Sequence, residues 1–87
     1  MGHVVTRRDV TGYIRMRRSD AIALAKAERD SLRLRARSAT ACRPAWRRAV
    51  KNADAALAAL VCGHDEAATE ALYHLARSWR AAYRCQS

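Results

Sequence analysis

The sequence predicts an all-α fold: a small three-helix bundle built on a C-terminal antiparallel helical hairpin, with a basic N-terminal arm. Three observations carry that expectation. Residues 44–83 hold the only strong helical periodicity in the chain. Gly63 follows the last apolar residue of its first half, as a left-handed helix stop would. Residues 20–39 carry a second, weaker apolar stripe.

The hairpin begins at Pro44, whose fixed φ suits the first helical position. Trp46, Ala49, Val50, Ala53, Leu57, Leu60 and Val61 then form one stripe over residues 44–62. Past Gly63, Asp65 is the expected N-cap of a helix over residues 66–84, with Glu66 and Glu70 near its positive end. Its stripe is Ala68, Leu72, Leu75, Ala76, Trp79, Ala82 and Tyr83. A tight turn makes the two helices antiparallel, so residues whose numbers sum to about 129 should face each other. Trp46 then meets Tyr83, Val50 meets Trp79, and Leu57 meets Leu72. Both tryptophans read as core packing.

Before the hairpin, Ser19 or Asp20 is expected to cap a helix over residues 20–39. It should pack on the hairpin through Ile22, Leu32 and Ala36, leaving Leu24 and Leu34 to one side. Residues 1–19 read as a flexible basic arm carrying Arg7, Arg8, Arg15, Arg17 and Arg18, with a short strand at Tyr13–Arg17. The start Met1-Gly2-His3-Val4-Val5-Thr6 fits the loose myristoylation pattern, and the Arg-rich composition is that of a transit peptide; a plain basic tail is the simpler expectation. A strand at Tyr13–Arg17 followed by two helices resembles the ribbon-helix-helix family. That resemblance implies paired basic strands in the major groove of DNA. The glycine usual between the family's helices has no counterpart at Thr40–Pro44.

Size and composition bound the function. The 87 residues allow one domain, rich in Ala and without Phe, so a thin core is expected. The longest uncharged apolar run, residues 55–63, is too short to span a bilayer, and a cytoplasmic protein is expected. Of the three cysteines, hairpin geometry brings Cys42 near Cys85 and leaves Cys62 at the other end. Free thiols in a reducing cell are the expectation, a clasp between Cys42 and Cys85 the alternative. Cys62-Gly63-His64 lacks a second ligand pair, so neither a metal nor a cofactor is expected. No glycine-rich phosphate loop or nucleophile–base arrangement occurs, and an enzyme is not expected.

The net charge of +9 belongs wholly to residues 1–48; residues 49–87 are balanced. In an up-down-up bundle, Arg33, Arg35, Arg37, Arg43, Arg47, Arg48, Arg77, Arg80 and Arg84 should gather at one pole. Asp20, Asp54, Asp65, Glu66 and Glu70 should gather at the other, with the arm leaving from there. Arginine holds phosphate bidentately, so nucleic-acid binding through the arginine pole is the first functional expectation. The alternative is a phage- or mobile-element-type inhibitor or adaptor that docks on an acidic protein surface. A self-assembling module, a homodimer through Leu24 and Leu34, is the third.

Overall fold

The computed structural model describes residues 3–7 and 13–86. Its elements, in order, are β1 (His3–Arg7), β2 (Tyr13–Arg17), α1 (Arg18–Ser38), α2 (Arg43–Cys62) and α3 (Asp65–Gln86). The three helices form the expected small bundle. α2 is its central element: α1 and α3 both pack on α2 and make no close backbone approach to each other. The body measures 42 × 23 × 17 Å.

The α2–α3 hairpin follows its local signals. Gly63 adopts φ +79°, a left-handed conformation that costs a residue without Cβ little. The Gly63 N–H donates to the Leu60 carbonyl at 3.2 Å, and the His64 N–H to the Ala59 carbonyl at 3.0 Å. These are the two bonds of a Schellman stop, and they satisfy carbonyls the helix end would otherwise leave open. α3 starts immediately, with the Ala68 N–H donating to the His64 carbonyl at 2.8 Å. Midway along the hairpin, Asn52 Nδ2 donates to Ser78 Oγ at 3.0 Å. The buried Ser78 hydroxyl lies 3.0 Å from the His74 and Leu75 carbonyls, so its own proton also has an acceptor.

Alanine sets the packing. Eight of the fifteen buried apolar residues are Ala, among them Ala49, Ala53 and Ala56 on α2 and Ala68, Ala76 and Ala82 on α3. Small residues let the helices approach closely, but each buries little area, so the large side chains carry most of the hydrophobic stabilisation. Those are Trp46, Leu32, Leu57, Leu60, Leu72 and Leu75. On α1 the buried face is Ala21, Ala25 and Leu32, with Ile22 and Ala36 packed at its margin. Val61, expected on the α2 stripe, is 64% exposed; Ala56 takes the inward position instead. Leu24 is half-buried and Leu34 is 63% exposed.

The N-terminal region departs from the expected flexible arm. β1 and β2 form an antiparallel hairpin in which Val4 faces Met16, Val5 faces Arg15 and Thr6 faces Ile14. Alternation turns Val4 and Thr6 inward, where both are almost fully buried, and leaves His3 exposed. β1 lies on α3 and also touches α1, so the hairpin wedges into the gap between those two helices. Gly2 and Arg8, singled out in the sequence, lie outside the described residues. The strand at Tyr13–Arg17 therefore pairs within its own chain, unlike the intermolecular ribbon that the ribbon-helix-helix resemblance implies.

No side-chain cap opens α1. β2 runs straight into it at Arg18, and Asp20 sits in its first turn. Asp65, expected as a cap, is the first residue of α3, and its carboxylate serves another purpose. Arg18 Nε donates to Asp65 Oδ1 at 3.1 Å, while Nη2 reaches Oδ1 at 2.8 Å and Oδ2 at 2.9 Å. This pair fastens the start of α1 to the start of α3, where the helix dipole also favours the carboxylate. Both side chains are about one-third exposed (36% and 33%), so solvent screens the pair. Arg18→Ala is expected to lower the melting temperature by about 2–6 °C, corresponding to roughly 0.5–1 kcal/mol. The difference should shrink in ~1 M NaCl, where the Debye length is about 3 Å. A shift persisting undiminished in high salt would mean the contact acts through packing alone.

Candidate polyanion-binding end

Three segments meet at one end of the molecule: the last turns of α1, the first turns of α2 and the last turns of α3. Residues 31–53 and 71–86, which supply them, contain nine arginines and one lysine and no Asp or Glu. A bond between Cys42 and Cys85 holds the end together, with Cα atoms 6.1 Å apart. The expectation of free thiols is thereby corrected for this pair; Cys62 alone is free, and exposed. The hairpin register had already placed Cys42 and Cys85 side by side. Cys42 itself adopts φ +60°, the only positive φ of a non-glycine residue among those described, and precedes the first turn of α2.

Arg35, Arg43 and Arg33 are partly engaged. The Arg35 guanidinium lies 4.8 Å from the Tyr83 ring centroid and 5.3 Å from that of Trp46, within cation–π range. Arg43 closes the α1–α2 connection, donating to the Ala39 carbonyl through Nε (3.2 Å) and Nη2 (2.8 Å). Arg33 contacts Asp54 at 3.4 Å. Asp54 was expected at the acidic pole, but it lies near the middle of α2, where antiparallel packing brings it opposite Arg33 on the last third of α1. Arg37, Arg47, Arg48, Arg77, Arg80 and Arg84 are exposed, the first three near the α1–α2 connection and the rest on α3. Arg37, Arg47 and Arg48 make no ion pair with an acid among the described residues.

The far end has the opposite character. A recess of about 430 Å³ is lined there by His3, Asp65, Glu66, Thr69, Glu70 and Tyr73. His74 Nε2 lies 3.7 Å from Glu70 on the same helix. Arg15 and Arg17 are exposed on β2, Arg18 is committed to Asp65, and the Arg7 backbone pairs with Tyr13.

Aromatic rings connect the core to the surface of the arginine end. Trp46 is 1% exposed and meets Tyr83 edge-on at 5.1 Å, as the hairpin symmetry anticipated. Tyr83 in turn meets Trp79 at 4.4 Å with the rings tilted by 59°. Trp79 and Tyr83 are only half-buried, so the series runs from interior to solvent. Periodicity placed Trp46 on the α2 stripe and Trp79 and Tyr83 on the α3 stripe but did not reveal that the outer two border open space.

No helix among the described residues is long and apolar enough to cross a membrane. Compared with known proteins, the chain matches no family model, and no curated protein or solved structure resembles it significantly.

Proposed function

We propose that this protein binds nucleic acid, DNA or RNA, through the phosphates, using the arginine end. The observation that carries the reading is the acid-free composition of three segments whose arginines the bundle brings to one end. Like charges gathered in this way repel and lower the stability of the free protein. A polyanion relieves that repulsion, and each phosphate neutralised releases a condensed counterion. Guanidinium groups also grip phosphate oxygens in a two-pronged geometry that lysine lacks. Arg37, Arg47 and Arg48 supply the exposed contacts, with Arg77, Arg80 and Arg84 extending the surface along α3. Arg35 and Arg43 hold the local structure while contributing field.

The test is the salt dependence of binding to labelled oligonucleotides. Replacing Arg37, Arg47 and Arg48 together with Ala should make the log–log salt slope shallower by about two to three units. Arg15→Ala with Arg17→Ala, at the far end, should change it by less than about one unit. Equal slopes for the triple variant and the unaltered protein would rule out this surface. Binding to an acidic protein with no nucleic-acid binding at low salt would instead favour an inhibitor or adaptor role.

The cytoplasmic location expected from the sequence is one in which thiols are mostly held reduced. The pairing of Cys42 with Cys85 argues for an oxidising surrounding, and alkylation of free thiols in intact cells decides between them.

A further inference from the structure

Among the described residues, the gap between α1 and α3 is filled toward the start of both helices by the N-terminal hairpin and left open farther along. In the open half, Ala27, Ser31 and Leu32 of α1 face Trp79 and Tyr83 of α3 across a recess of about 290 Å³. A second recess of about 460 Å³ lies on α3, lined by Trp79, Tyr83, Arg80 and Arg84. The two aromatic rings therefore form a ridge between two openings, toward the arginine end of the molecule. Tyr83 meets Trp46 edge-on and carries the Arg35 guanidinium over one face, so its ring is fixed before any ligand arrives and Trp79 offers the more open surface of the two.

We infer that this ridge stacks the bases of an unpaired nucleic-acid strand, making the preferred ligand single-stranded. The inference rests on the nucleic-acid reading above and adds the strand class to it. A duplex offers this surface only phosphates, since its base faces are stacked on one another. An unpaired strand offers phosphates and free π-faces together. Bases stack on aromatic side chains with little regard to sequence, while flanking arginines follow the backbone. Arg80 and Arg84 flank the ridge and match the negative backbone of such a strand. Glu28 lies at the α1 edge of the recess.

The experiment uses the full-length, disulfide-bonded protein at low salt, with a dT oligonucleotide and a duplex of equal length. Fluorescence anisotropy of the labelled nucleic acid reads binding. Intrinsic tryptophan emission reads stacking, because Trp46 is shielded and Trp79 borders the openings. Both ligands should raise anisotropy, but only dT should quench emission, and the quenching should vanish in Trp79→Phe. Trp79→Ala should weaken dT binding about tenfold to a hundredfold and duplex binding less than about twofold. Trp79→Phe should retain most of the affinity, which separates ring loss from misfolding should the Ala variant melt early. Binding of dT without quenching, and with Trp79→Phe and Trp79→Ala unaltered in affinity, would overturn the stacking proposal while leaving phosphate binding intact. Equal quenching by poly-glutamate would overturn it as well. Flat anisotropy with both nucleic acids would defeat the nucleic-acid reading first, and this one with it.

Discussion

Reducing the Cys42–Cys85 bond is expected to lower the melting temperature by on the order of 20 °C. The two cysteines are 43 residues apart in sequence, and closing a loop of that length restricts the unfolded chain by roughly 3–4 kcal/mol in the chain-entropy model. For a domain of this size, each kcal/mol moves the melting temperature by about 4–8 °C. The effect should be large because the other contributions are small: the interior is mostly alanine, and no second covalent tie exists among the described residues. Its location matters too. The bond joins the two helix ends farthest from the Gly63 turn, so without it the last turns of α3 lose their anchor. Melting by circular dichroism with and without a phosphine reductant checks this, beside a Cys42→Ser, Cys85→Ser protein that should match the reduced sample. Cys62→Ser should leave both curves unchanged. A reduced protein melting within about 3 °C of the oxidised one would show the tie to be dispensable.

Trp46→Ala should cost about 3–5 kcal/mol, the usual toll for deleting a fully buried large aromatic. A protein of this length is stabilised by roughly 4–13 kcal/mol in total, so this single change removes about a quarter of it or more. Trp46 is the largest side chain in the interior, and its loss also withdraws one neighbour from Tyr83 and one cation–π contact from Arg35. Urea denaturation followed at 222 nm reads the loss as a lower midpoint. Trp46→Phe, which keeps a ring in the site, should recover more than half of it. A loss below about 1 kcal/mol for Trp46→Ala would mean that the neighbouring helices close over the cavity.

These expectations trace back to how much of the fold local signals encode. The α2–α3 hairpin was legible because Gly63, the apolar spacing and the acid-to-arginine gradient along α3 all specify the same turn and the same faces. Once the turn is known, antiparallel symmetry places Trp46 on Tyr83 and Cys42 beside Cys85. Whether those two sulfurs join is a matter of redox surroundings, which no residue spacing encodes. β1 was illegible for a different reason. Its five residues hold one inward valine and one inward threonine, too little alternation to stand out, and its docking face on α3 lies far away in sequence. The Asp54 misplacement came from assigning charges to helix ends, whereas Asp54 lies near the middle of α2 and meets Arg33 on the last third of α1. The arginine end was legible as composition, whereas the Trp79–Tyr83 ridge needed the splay between α1 and α3, a tertiary property.

The docking of β1 on α3 also orders events during synthesis. β1 is made first, and β2 follows within a dozen residues, but the helix that covers Val4 begins some sixty residues later. At ribosomal speeds of roughly 5–20 residues per second, the wedge waits about 3–12 s for its seat. The first strand is thus sheltered only once the last helix has been made.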